Sequence, residues 1–434
     1  MTSAATGDRT RGPLSGIRSI EDLAKGSAST AQPSPPGAAA EGKALAGKRV
    51  FIRVDFNVPF DKKTGEITDD SRIKEALPTI KFAMEAGAKV ILASHLGRPK
   101  PGERKLSLEP CGSRLSELTN YEVHVPEDCV GDAPKKVIHD LRQNQLCLLE
   151  NLRFHEGEEK DDEAFARQLA DLCDVYIDDA FGAVHRAHAS VHALPRMMRD
   201  RGAGFLLKKE LTALGKLVDR PEKPYVAVLG GAKVSDKIDV VEALLNTVDV
   251  LCIGGAMANT FLAAQGKDLQ KSRIEEDKLP LARTILAKAQ AKNVRVVLPT
   301  DVIVAASLEA QQGEPALVGS IPEGTMALDI GPKTVALMSK ELERAKTVLW
   351  NGPMGLFETE AFSKGTFDIA RVMSKVSGFT VVGGGDSAAA VKKAGEEIAA
   401  GFDHISTGGG ASLEFIEGKK LPGVEALRVP ENVT

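Results

Sequence analysis

The sequence predicts an α/β protein of two doubly wound, Rossmann-like parallel-sheet domains joined by a hinge. Three observations predict it. Short, near-continuous apolar runs alternate with longer helical patterns, as strands buried on both faces of a parallel sheet require. Nine such runs end in polar or glycine-rich turns, too many for one compact doubly wound half. The rhythm breaks once, at PRMMRDRGAG over 195–204.

The elements follow in order. Residues 24–44 are mostly Ala, Pro, Ser and Gly, sixteen of twenty-one, and bury little apolar surface. Residues 1–44 are therefore expected to be a flexible extension and insertion. The arginines before residue 24 weakly suggest a transit segment, against which Asp8, Glu21 and Asp22 count. From Leu45 the strand runs are VFIRV (50–54), KVILA (89–93), LCLL (146–149) and DVYI (174–177). After a charged helical stretch come YVAVL (225–229), VLCIGG (250–255), VRVVL (294–298), VLWNG (348–352) and TVVGGG (380–385). One domain is expected over 45–195 and a second over 196–417, with the hinge at 195–204 and the helix after it.

Composition limits the function. With 434 residues, roughly 150 per domain would give about three domains, a prior the strand pattern reduces to two. A net charge of −4 gives no global pull toward nucleic acid or acidic membranes. The longest apolar stretch, 250–258, is nine residues, and a membrane span needs about twenty. Five cysteines with no CxxC pair read as buried thiols in a reducing cytoplasm.

In open α/β sheets, ligands bind beyond the carboxyl ends of the strands. The two halves differ there. The first half ends its strands in Asp55, Asn57, His95, Arg98 and Arg153, with Arg186 after the fourth strand. Arginine forks hold carboxylate and phosphate bidentately, so a small, multiply anionic substrate is expected. Each arginine alone could equally meet a surface acid. The second half ends its strands in glycine: Gly230–Gly231, Gly254–Gly255, Gly352, 383–385 and 408–410. Bare backbone before a helix admits phosphate, although a glycine turn by itself needs only φ > 0. Asp386 in GGGDS (383–387) adds the lone carboxylate that a Mg²⁺–nucleotide uses. Neither GxxxxGK[ST] nor GxGxxG is present, which removes a Walker-A enzyme and lowers a dinucleotide reading. Lys233 and Lys237, four apart, are expected to share one helical face and to neutralise a phosphoryl group. His185, His188 and His192 suggest a metal site only weakly, because Arg186 among them would repel a cation.

The motifs resemble the phosphoglycerate kinase family. RVDFNVP (53–59), SHLGRP (94–99), ENLRF (150–154), DAFG (179–182) with HRAH (185–188), GGAK (230–233) with Asp236 and Lys237, WNGPMG (350–355), GGGD (383–386) and STGGGAS (406–412) stand in family order. The resemblance runs from about residue 45 to the C-terminus. It implies reversible phosphoryl transfer from 1,3-bisphosphoglycerate to MgADP, giving 3-phosphoglycerate and MgATP. It implies a cytoplasmic monomer that acts on small molecules, with no nucleic-acid or membrane partner. By matching position, Asp55, Phe56, Asn57, Arg72, His95, Leu96, Gly97, Arg98, Arg153 and Arg186 would bind phosphoglycerate. Gly231, Lys237, Gly254, Gly255, Asn351, Glu358, Gly384, Gly385, Asp386 and Ser387 would bind the nucleotide, with Asp386 on its Mg²⁺. Arg72, Lys233 and Lys237 would be catalytic. The tail, 418–434, would return to the first domain. IRSIEDL (17–23) resembles the usual opening of a bacterial member, which makes 24–44 an insertion. A nicotinamide-dependent dehydrogenase and a non-catalytic member are the alternatives.

Overall fold

The computed structural model describes residues 12–26, 44–61, 63–100, 103 and 105–429. The chain divides into two units, one of residues up to 212 together with those from 420, the other of residues 213–419. The division falls inside the helix Phe205–Val218, later than the 195–204 break. That break itself contains a strand.

The first unit is built on β1 (Arg49–Arg53), β2 (Lys89–Ala93), β3 (Glu122–His124), β4 (Gln145–Leu148), β5 (Val175–Asp178) and β6 (Arg201–Ala203). They form one sheet in the order β3-β4-β2-β1-β5-β6, and every pairing is parallel. The inner strands are buried almost end to end, because parallel strands covered on both faces must be apolar throughout. Val50, Ile52, Val90, Leu92, Leu146 and Ile177 anchor a core that includes Ile73 and Ile80 of the helix Ser71–Glu85.

Part of the expected N-terminal extension belongs to this core. Ile20–Lys25 is a helix with Ser19 as its N-cap in a reciprocal capping box with Asp22. Ile20, Leu23 and Ala24 are buried, and Ser19 bridges to Ala203 of β6. The opening segment is therefore structural. Most of the expected insertion, 27–43, lies outside the described residues, as does the chain before 12 and after 429. At the other end, the Gly423 amide donates to Val184 O at 2.9 Å, and Arg201 donates to Arg428 O at 2.7 Å.

The second unit carries β7 (Tyr225–Leu229), β8 (Val250–Ile253), β9 (Arg295–Val297), β10 (Asp301–Ala305), β11 (Glu314–Leu317), β12 (Met326–Ile330), β13 (Thr347–Asn351), β14 (Phe379–Gly383) and β15 (His404–Ile405). The main sheet runs β15-β14-β13-β7-β8-β9, again parallel throughout. The chain leaves β7 toward β8 and β9 and later returns on its other side with β13. The strand order thus reverses between β7 and β13, the position where such sheets hold ligands. A separate antiparallel sheet, β11-β10-β12, interrupts the parallel pattern.

Candidate active site

In the first unit, the strand ends gather cations around a buried histidine. β1 delivers Arg53, which is fully buried. Its Nε donates to Ser190 Oγ at 2.8 Å, Nη1 donates to Val54 O at 2.5 Å, and Nη2 lies 3.1 Å from His95 Nδ1. Glu158, also fully buried, stands 3.9 Å from Arg53 and accepts from the Ser190 amide and hydroxyl. A buried guanidinium needs such matching to repay its desolvation. Asp55 follows β1 and pairs with Arg72 in the first turn of its helix. Burial opposes ionisation of Asp55, but His95, Arg72 and Arg53 hold its carboxyl below the usual range.

Hydrogen bonds fix the loops. Phe56 N donates to Ser94 Oγ at 2.8 Å, and Gly97 N donates to Asn57 Oδ1 at 2.8 Å. Gly97 takes φ +57°, and a Cβ there would meet Leu106 at 2.7 Å. Asn151, fully buried, is the organiser: it accepts from Leu96 N and Arg153 N and donates to Leu96 O and Leu106 O. Arg153 in turn donates to Gly97 O at 2.6 Å. Arg186 donates to His185 at 3.2 Å, and Arg98 is exposed.

Burial and the surrounding arginines push His95 well below the ordinary histidine value. Burial, together with Arg153, Arg53 and Arg186, brings His188 down to about 4. These shifts disfavour charge on both imidazoles, so the guanidinium groups supply most of the positive charge. Asp55, Phe56, Asn57, Arg72, His95, Leu96, Gly97, Arg153 and Arg186 thus belong to one group of loops, with Arg98 at its exposed margin. Reasoning from strand ends missed Arg53, Glu158 and Asn151, which build the basin from beneath. An arginine within an apolar strand was the available signal for the first. Of the histidine cluster, His192 pairs with Asp161 at 2.6 Å.

In the second unit, Gly230 and Gly231 leave β7 and pack against the turn after β13. Gly230 N donates to Asn351 O at 3.0 Å, and Gly231 N donates to Pro353 O at 2.9 Å. Gly352 takes φ +96°, and a Cβ there would lie 2.3 Å from Gly230 O. Only bare backbone lets these two turns touch. Asn351 donates to Gly383 O at 2.9 Å, and Ser387 Oγ accepts from Gly352 N at 2.5 Å. Gly384 precedes the helix Gly385–Ala394, whose first turn carries Asp386.

A cavity of about 400 Å³ opens here, and Gly231, Gly255, Glu358 and Asp386 are among its lining residues. Gly254 and the Gly384–Ser387 turn flank it in sequence, while Asn351 ties the turns beneath. Lys237 Nζ donates to Asn351 O at 2.8 Å and also contacts Asn351 Oδ1. Burial lowers its ammonium to about 8 against the pull of Asp386 and Asp236.

One expectation fails. Lys233 and Lys237 do not share a helical face. The helix starts only at Ile238, after a 3₁₀ turn over Ser235–Lys237. Lys233 stands exposed in the preceding loop, and Lys237 turns inward. Glu275 holds that loop by accepting from Val234 N and Ser235 Oγ, each at 2.5 Å, which competes with earlier helix initiation. The donor set suits Mg²⁺, which typically takes one or two protein carboxylates and completes its shell with water and substrate phosphates. Asp386 supplies such a carboxylate at the cavity wall, beside the N-terminus of a helix.

Comparison with known proteins gives one consistent answer. The family model described as phosphoglycerate kinase matches residues 41–419. The phosphoglycerate kinase of Anaeromyxobacter sp. (strain K) is 57% identical over 387 residues, covering 88% of this chain and 97% of that protein. That of Moorella thermoacetica is 53% identical over 385 residues, with coverage of 88% and 97%. The solved phosphoglycerate kinase of Coxiella burnetii matches with TM-score 0.82 and 39% identity, covering 95% of this chain and 98% of that one. The Pyrococcus horikoshii enzyme matches with TM-score 0.77 and 33% identity, covering 88% and 96%. These matches do not favour a dehydrogenase or a non-catalytic protein, and they carry the conclusion that the sheets and strand-end chemistry suggested: the chain belongs to the phosphoglycerate kinase family.

Proposed function

We propose that this phosphotransferase works by direct in-line transfer, with phosphoglycerate bound on the first unit and Mg²⁺–nucleotide on the second. The observation that carries this reading is the division of charge: an arginine-rich basin at one set of strand ends, and bare glycine turns with Lys237 and Asp386 at the other. Phosphoryl transfer asks mainly for positioning and charge stabilisation. The substrate carboxylate attacks the γ-phosphorus of ATP. A new P–O bond forms to the carboxylate as the bond to the ADP oxygen breaks, and the reverse direction exchanges these roles.

Asp55, Asn57, His95, Arg98, Arg153 and Arg186 hold the anionic acceptor, and Arg72 meets charge on the equatorial oxygens. Lys233, exposed in its loop, would do the same from the nucleotide side. Lys237, Asn351, Glu358, Gly384, Gly385 and Ser387 hold the nucleotide. Asp386 would hold Mg²⁺, which neutralises phosphate charge when bound. Acyl phosphates hydrolyse, so closure of the domains around both substrates would protect the product. Small-angle scattering tests the closure. Compaction is expected only with both substrates present, and equal compaction with nucleotide alone contradicts it. Five buried free cysteines suit a reducing cytoplasm, and the family resemblance supports a monomer.

A further inference from the structure

Outside the anion basin, the described residues bring one mixed set of metal-ligating groups together: Asp128, Cys129 and His155. Asp128 and Cys129 lie in the loop after β3, and His155 follows the 3₁₀ turn Leu152–Phe154. Their ligand atoms all lie within 4.8 Å of one another. His155 Nε2 is 2.6 Å from Asp128 Oδ1, and its ring stacks on Phe165 with centroids 5.1 Å apart. Cys129 is fully buried, whereas the Asp128 and His155 side chains are each 32% exposed. The group is therefore closed behind the sulfur and open to solvent on the side of the carboxylate and imidazole.

We propose that Asp128, Cys129 and His155 form a binding site for a borderline-soft divalent cation of the zinc class, with a fourth position left to water. A hard cation such as Mg²⁺ takes oxygen ligands, and a sulfur–nitrogen–oxygen set selects zinc-like ions. Tetrahedral bonds of about 2.0–2.3 Å put ligand atoms roughly 3.3–3.8 Å apart. The direct contact between Asp128 and His155 therefore opens by about 1 Å, exchanging one hydrogen bond for two bonds to the ion. The Cys129 thiol gives its proton to solvent and binds as thiolate. His155 binds through the Nε2 lone pair with its proton on Nδ1, and Asp128 stays a carboxylate. One proton leaves per ion bound. Because that proton must leave before the thiolate binds, binding tightens as pH rises. The site lies two residues from Arg153, and an ion there would pin the segment that carries this arginine.

The test uses the full chain, stripped by a chelator and then titrated with Co²⁺ in excess Mg²⁺. A thiolate-to-cobalt charge-transfer band is expected, saturating at about one equivalent, with one proton released per ion. Cys129→Ser should abolish the band while the protein still turns over. His155→Gln should raise the Co²⁺ dissociation constant by at least about tenfold. Wild-type affinity in His155→Gln, or an undiminished band in Cys129→Ser, overturns the assignment. Absence of both band and proton release in the wild type also overturns it, leaving a hydrogen-bonded Asp–His pair only.

Discussion

Replacing Arg72 with alanine separates catalysis from folding, because this side chain has little structural role. It sits in the first helical turn, 35% exposed, with Asp55 as its partner. Exposed ion pairs contribute roughly 0.2–1 kcal/mol, and this one is taken at the upper end because Asp55 is largely buried, with Arg53 still nearby after the loss. For a domain of this size, each kcal/mol moves the melting temperature by about 2–4 °C, so a drop of at most about 4 °C is expected. The catalytic cost is larger. A donor aimed at developing phosphoryl charge typically accounts for about 10²–10³ in kcat. Nucleotide affinity should stay within about twofold, because the cavity proposed for the nucleotide belongs to the other unit. A coupled assay of ADP release gives kcat, calorimetry gives the nucleotide dissociation constant, and a thermal melt reports stability. A variant with near-normal kcat would remove Arg72 from the machinery. A melting temperature lowered by 10 °C or more would mean that the pair is structural.

Three further outcomes follow from the same geometry. With Lys237 lowered to about 8, affinity for free nucleotide should fall as pH rises from 7 to 9, and Lys237→Arg should flatten that profile. The sign for stability is opposite: between about 8 and the ordinary lysine value of 10.5, the unfolded chain binds the proton that the folded one lacks, so this group favours folding more as pH rises; urea titrations across that window should find the wild type gaining on Lys237→Met. Asn151→Ala removes four hydrogen bonds from a buried amide; at about 1 kcal/mol each, less relaxation, it should cost about 2–4 kcal/mol in urea unfolding and raise KM for phosphoglycerate more than KM for nucleotide. Equal KM effects would refute its role in placing Arg153. Chelating Mg²⁺ should abolish turnover and re-addition restore it, with Asp386→Asn needing on the order of tenfold more Mg²⁺; an unchanged requirement would take the metal away from Asp386.

In the two parallel sheets, the fold was legible wherever burial on both faces forced a strand to be apolar. VFIRV, KVILA and YVAVL announced β1, β2 and β7 to within one residue at either end. Of the strands that escaped notice, β10 carries that signal in DVIVA and was passed over, whereas three others lack it. β3 is a short polar edge strand, β6 reads RGA inside a run of arginines, and β11 is largely exposed. The N-terminal helix was hidden because a low-complexity stretch directly follows its buried face. At the site, strand-end position pointed to side chains that the structure gathers at the loops but not to those that hold them. Arg53 lies within a strand, and Asn151 acts through backbone groups brought together from three loops. The two lysines misled because a spacing of four implies a shared face only where the helix has already begun.

Direct transfer is tested most simply by the stereochemical course at phosphorus. With γ-phosphate made chiral by oxygen isotopes and sulfur, one in-line displacement inverts the configuration. Inversion is expected on turnover of 3-phosphoglycerate with MgATP. Retention would require two displacements and a phosphorylated side chain, and would contradict direct transfer.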